Sequence, residues 1–113
     1  MPTTSNYTIG EFASMQQAWS EKTFGPNDVR GPIGPLKHLE KEAKEAQDAV
    51  GSDELLEELA DCLFLIVDAT WRSGFWTTDL LNAAVAKLDK NKDREWPSWE
   101  GADPNGAVEH VRE

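Results

Sequence analysis

Residues Leu39–Asp61 read LEKEAKEAQDAVGSDELLEELAD, with nine acidic side chains against two basic ones. Apolar positions Leu39, Ala43, Ala46 and Val50 recur at helical intervals before Gly51. A second set, Leu55, Leu59, Cys62 and Ile66, follows. Gly51 suits the end of one helix and Ser52 the start of the next, so the spacing predicts a tight antiparallel helical hairpin. At about 100° per residue, Glu42 and Glu45 fall on one flank of the first stripe, one turn beyond His38. Glu58 and Asp61 fall on the matching flank of the second, with Glu54 above and Asp68 below.

Facing carboxylates at the edge of a core repel one another and lose hydration. Some must then hold protons at neutral pH, unless a hard divalent cation sits between them. Mg²⁺ takes oxygen ligands and keeps waters and substrate phosphates in its shell. E-x-x-E on one helix and E-x-x-D on the next supply four such donors: Glu42, Glu45, Glu58 and Asp61. A solvated acidic face produces either pair alone; two pairs in phase across a hairpin favour metal. Asp68, inside LIVDAT, needs a partner, either a structural hydrogen bond or ion pair or a further metal.

Outward from the hairpin, further helix signals appear. Thr8 and Glu11 have capping-box spacing, and Ile9, Phe12, Met15, Gln16 and Trp19 continue a helix to about Glu21. TFGPNDVRGPIGP, residues 23–35, reads as a long loop, with Pro35 in the first turn of the second helix. The third helix runs from about Asp53 to Arg72 and is apolar nearly all round beyond Ala60, so it belongs at the centre. Thr77 or Thr78 caps a fourth, carried to about Lys92 by Leu80, Leu81, Ala84, Val85 and Leu88. The rest is an irregular tail, save a helical turn at its end; its Trp96 and Trp99 call for packing within the chain or on a neighbouring subunit. The prediction is an all-α four-helix bundle forming a single domain over residues 1–113.

Composition narrows the function. A net charge of −10 over 113 residues argues against nucleic-acid binding. The single cysteine, Cys62, cannot close an internal disulfide and reads as an inert thiol of a reducing compartment. The N-terminal residues lack a signal-peptide pattern, and CLFLIV is too short to span a bilayer, so the expectation is a cytoplasmic protein without a membrane partner.

KLDKNKDREW sets Lys87, Asn91 and Arg94 on one helical face. They serve either as a phosphate-holding group or as cations favoured by a helix C-terminus. His38 is a candidate phosphate or carboxylate partner, or a core-edge histidine. Trp19 and Phe24 flank the loop and are candidates for stacking a base, or for core packing.

These motifs resemble the MazG-like all-α nucleoside triphosphate pyrophosphohydrolase superfamily, whose E-x-x-E…E-x-x-D signature matches KEAKE and EELAD. WSEKTFGP, HLEKEAKE, EELADCLFLIVDATWRSGF, KLDKNKDREWPSW and AVEHVR resemble its phage and bacterial dATP/dGTP diphosphohydrolase branch, including MazZ-like members. The resemblance implies hydrolysis of purine deoxynucleoside triphosphates to monophosphates with two or three Mg²⁺ or Mn²⁺ ions. It implies metal ligation by Glu42, Glu45, Glu58 and Asp61, with Glu42 or Glu45 as proton acceptor. Lys87, Asn91 and Arg94 match a K-x-x-x-N-x-x-R segment that would face phosphate. A homo-oligomer, dimer or tetramer, is implied, as is a role in phage nucleotide-pool control within the host cytoplasm. The segment between the two acidic pairs is shorter than is usual in the family, and Glu57 beside Glu58 leaves spacing to select the ligand. Relatives that prefer dUTP, dCTP or a phosphoribosyl nucleotide, and a non-catalytic nucleotide binder, are the alternatives.

Overall fold

The computed structural model describes residues 6–112. It contains four helices, α1 (Ile9–Phe24), α2 (Ile33–Asp48), α3 (Leu55–Arg72) and α4 (Thr77–Lys92), and no strand among the described residues. The expected all-α, four-helix class is what the chain adopts. No helix among the described residues is long and apolar enough to cross a membrane. The chain forms two compact units, one reaching to Leu80 and the other from Leu81 onward.

In the N-terminal unit α3 is the central rod, packed on α2 and, over a smaller area, on α1. Helix α1 starts at the expected capping box: Thr8 Oγ1 accepts from Glu11 N at 3.0 Å, and Thr8 N donates to Glu11 Oε1 at 3.2 Å. It runs three residues further than periodicity indicated, to Phe24, where Gly25 (φ 107°) turns the chain out. Helix α2 begins two residues before Pro35, so the loop shortens to residues 25–32.

The α2–α3 connection is as tight as the Gly-Ser pair indicated, with Gly51 at φ 88°. Ser52, however, does not cap α3. Its Oγ donates to the Ala49 carbonyl and accepts from Glu54 N, closing the turn, and the cap position is Glu54 without a side-chain bond. Nor does a threonine cap α4, which begins at Thr77; the Trp76 N–H preceding it donates to Asp79 Oδ2 at 2.7 Å.

The core differs from the predicted stripes. Among the described residues the buried apolar side chains are Ala13, Pro35, Ala46, Leu65, Val67 and Ala69, against the polar Gln16, Ser20, Glu42, Asp68 and Arg72. On α2 the buried line is Pro35–Glu42–Ala46, while Ala43 and Val50 are exposed. The acid thus lies in the helix–helix interface instead of on its flank. On α3 the buried side turns toward Leu65, Ala69 and Arg72, and a row of Leu56, Leu59, Leu63 and Ile66 is left open to solvent, with Leu59 50% and Leu63 41% exposed. Contiguous exposed apolar rows of this kind occur at protein, membrane and ligand contacts.

A polar network replaces much of the missing apolar core. Asp68 Oδ1 accepts from Gln16 Nε2 (2.7 Å) and Ser20 Oγ (2.5 Å), and Oδ2 accepts from Arg72 Nε (3.0 Å). Arg72 spends its remaining donors on Ser20 Oγ (2.9 Å) and on the carbonyls of Gly25 (3.0 Å) and Arg30 (2.8 Å). Trp71 Nε1 donates to Gln16 Oε1, and Asn27 Nδ2 to the Trp71 carbonyl. The network ties α1, α3 and the loop together. It resolves the two readings of Asp68: three donors occupy its carboxylate, so it is a structural ion-pair partner.

In the C-terminal unit the tail is held to itself. Trp96 stacks edge-on against His110 with centroids 6.0 Å apart and donates Nε1–H to the Asn91 carbonyl. Val111 N donates to the Glu95 carbonyl at 2.7 Å. Trp99 is 84% exposed, so it lacks the packing expected within the chain, and the tail contains turns in place of the expected helical end.

Candidate functional site

The antiparallel hairpin brings Glu42 of α2 against Glu58 and Asp61 of α3, and one carboxylate oxygen from each lies within 4.8 Å of the others. Glu42 is buried, Glu58 half-buried and Asp61 exposed, so the cluster opens from the interface toward solvent. Glu42 Oε2 and Glu58 Oε2 are buried with no hydrogen-bond partner. Leaving such atoms unpaired is costly, and for charged groups more so. Glu45, one turn beyond Glu42, is exposed and stands just outside the three-residue cluster.

The acids perturb one another strongly. Glu58 is pushed up to about 7, first by the Glu42 carboxylate beside it, then by burial and by the charges of Glu45 and Asp61. Burial raises Glu42, but the adjoining Glu45, Glu58 and His38 side chains outweigh it and leave the group below its ordinary value. Glu45 is raised, chiefly by the Glu42 carboxylate beside it. His38 Nε2 lies 3.0 Å from Glu42 Oε1, and because the carboxylate accepts, Nε2 carries the hydrogen. Burial, and then the charges of Glu42, Asp61 and Glu58, raise the Cys62 thiol, keeping it protonated as an inert group.

The donor set fits a hard divalent cation. All the donors are carboxylate oxygens, two are unpartnered, and they come from two rigid supports. A cation there would satisfy both orphaned atoms.

A pocket of about 430 Å³ adjoins the acids. Glu42, Asp61 and His38 line one end. Trp19, Phe24 and Phe64 form an aromatic wall, with Trp19 edge-on to Phe24 (5.3 Å) and to Phe64 (5.5 Å). Arg30, Gly34, Pro35, Leu65 and Asp68 complete the lining. All three side chains singled out as base or substrate contacts, Trp19, Phe24 and His38, thus border the same cavity. Sequence reasoning passed over Phe64 and Arg30. Phe64 follows Asp61 by three residues, one turn along the same face, which was the available signal.

In the C-terminal unit Asn91 and Arg94 are brought together: Arg94 Nη1 donates to Asn91 Oδ1 at 3.1 Å, and both are half-buried. Lys87 is exposed one turn earlier on α4.

The family model described as dATP/dGTP pyrophosphohydrolase matches residues 11–113. The "Eaa protein" of Salmonella phage P22 is 47% identical over 86 residues, which cover 76% of this chain and 25% of that protein. The chain therefore spans about a quarter of that relative's length. Among solved structures, the MazG-like pyrophosphohydrolase of cyanophage S-2L, bound to dGDP and three catalytic Mn²⁺ ions per active site, is 30% identical. It superposes with a TM-score of 0.68, covering 94% of this chain and 99% of that one. Helical hairpin, converging acids and a family match over residues 11–113 agree: the chain belongs to the dATP/dGTP pyrophosphohydrolase family, a phage-associated branch of the MazG-like all-α superfamily.

Proposed function

We propose that this protein is a metal-dependent hydrolase that converts the purine deoxynucleoside triphosphates dATP and dGTP to monophosphates in phage nucleotide-pool control. The observation carrying this reading is the meeting of Glu42, Glu58 and Asp61, with two orphaned buried oxygens, at the end of an aromatic-walled pocket. The dGDP and three Mn²⁺ ions held by the cyanophage relative support it.

Glu42, Glu58 and Asp61 would hold two or three Mg²⁺ or Mn²⁺ ions, with Glu45 completing the set; two ions balance four carboxylates, and a third would be balanced by substrate phosphates. When bound, the ions neutralise polyphosphate oxygens and make water more acidic near neutral pH. Glu42 or Glu45 accepts the proton of the attacking water. His38 donates to Glu42 Oε1 and fixes that carboxylate's orientation. Trp19, Phe24 and Phe64 offer ring faces and edges to a planar base, excluding water around it. Lys87, Asn91 and Arg94 are, in this reading, the groups that meet the outer phosphates. The exposed row Leu56–Leu59–Leu63–Ile66 supports work as a homo-oligomer, with residues 1–113 acting as one functional domain.

The test is a panel of deoxynucleoside and phosphoribosyl nucleotides incubated with Mg²⁺ or Mn²⁺ and resolved by chromatography. The reading expects dAMP and dGMP. Turnover confined to dUTP or dCTP would replace the substrate assignment, and no monophosphate from any nucleotide would reduce the protein to a binder.

A further inference from the structure

Arg30 is the only permanently charged cation lining the pocket among the described residues. Its side chain makes no ion pair there. Its backbone is fixed: the carbonyl accepts from Arg72 Nη1 at 2.8 Å, and the N–H donates to the Pro26 carbonyl at 3.0 Å. Arg72 is itself locked by Asp68, so a buried ion pair sets where Arg30 emerges.

The guanidinium lies over the first turn of α2. A Cβ built on Gly34 would stand 3.3 Å from Arg30 Nη1, so the absent side chain at Gly34 leaves the space the guanidinium uses. Glu42 is eight residues further along the same helix, about 12 Å at the helical rise. Arg30, the acids Glu42 and Asp61, and the rings of Trp19, Phe24 and Phe64 thus line one cavity, with Arg30 entering about two turns of α2 before Glu42. That arrangement puts a cationic fork and three rings on the wall that also carries the metal-binding acids. It suits a nucleotide whose phosphates sit at the acids and whose base extends between the rings.

The chemistry of Arg30 then selects among bases. A guanidinium presents only donors, in a planar fork. The N7–O6 edge of a 6-oxopurine presents two acceptors, whereas adenine places the N6 donor beside N7. We propose that Arg30 reads this edge and makes the pocket prefer guanine over adenine nucleotides, as a specificity-determining residue for the reaction. This rests on the hydrolase reading above.

The test compares wild type with Arg30→Ala on dGTP, dITP, 7-deaza-dGTP and dATP, reading kcat/KM. In parallel, calorimetry with Mn²⁺-loaded protein measures binding of dGDP and dADP. Wild type is expected to favour dGTP and dITP over dATP. Arg30→Ala should lower kcat/KM for dGTP and dITP, and affinity for dGDP, by about tenfold or more, while dATP and dADP change by less than about twofold. The 7-deaza substrate, lacking one acceptor, should be the less sensitive guanine substrate.

Equal losses for guanine and adenine nucleotides would place Arg30 on phosphate, sugar or loop structure and overturn the proposal; so would no loss, or a wild type that prefers dATP. Were wild type to release no purine monophosphate at all, the hydrolase reading would fail by itself. A selective loss of dGDP binding in Arg30→Ala would then still uphold the base contact, and its absence would remove it. Circular dichroism confirms that the variant folds, as expected for an exposed side chain.

Discussion

Glu42 and Glu58 face each other across the α2–α3 interface, each with one buried carboxylate oxygen that nothing in the protein satisfies. Two acids from different helices stand half-unpaired where an apolar pair would pack without penalty. The protein accepts that cost in its metal-free form, which is why the relationship points to a ligand.

The first prediction concerns stability against pH. Glu58 rises from 4.5 to about 7 in the folded chain, and Glu45 shifts in the same direction. Between those pH values the folded protein holds a proton that the unfolded chain has lost. The metal-free protein should therefore lose stability as pH climbs from about 4.5 to about 7 and level off above. Glu42, shifted the opposite way, acts only below its ordinary range. Saturating Mn²⁺ should raise Tm most above pH 7, because binding requires Glu58 to lose its proton. Thermal melts with and without chelator across pH 4.5–8.5 check both slopes.

Glu58→Gln separates function from folding. The amide cannot carry charge to a cation, so turnover should fall by about 10²-fold or more. The helical circular-dichroism signal should persist, and the metal-free variant should melt no lower than wild type at pH 7.5, since a repelling charge is gone. Retained turnover would take Glu58 out of the site.

Arg72→Met breaks the ion pair that also anchors the loop. It leaves the buried Asp68 without its cation, held only by Gln16 and Ser20, and frees the Gly25 and Arg30 carbonyls. The expected loss is about 3–5 kcal/mol in urea unfolding. Replacing Asp68 and Arg72 together by apolar residues should cost less than Arg72→Met alone, because no charge is left behind.

The exposed row on α3 leads to a fourth expectation. Leu59→Glu with Leu63→Glu should shift the protein to smaller species in light scattering while α-helicity is kept. An unchanged mass would remove that row from any interface.

How much of this was legible beforehand follows from the physics of each feature. The helices and the hairpin were readable because period, Gly51 and the Thr8–Glu11 pair are local signals. The acids were readable because their spacing repeats in phase on both arms. The buried face of α3 was not: a helix apolar nearly all round beyond Ala60 permits more than one stripe, and the partners of Asp68 and Arg72 that choose the buried one lie on α1 and the loop, far away in sequence. The loop was read as long and open because its anchors are carbonyls, which every residue has. Arg30 was hidden for the same reason, since its position depends on a guanidinium 42 residues away in sequence.

Anomalous scattering from crystals grown with MnCl₂ tests the central claim most directly. The account predicts manganese peaks within coordination distance of the carboxylates of Glu42, Glu58 and Asp61, with both orphaned oxygens turned toward them. Empty density there at millimolar manganese, with the acids unmoved, would contradict it.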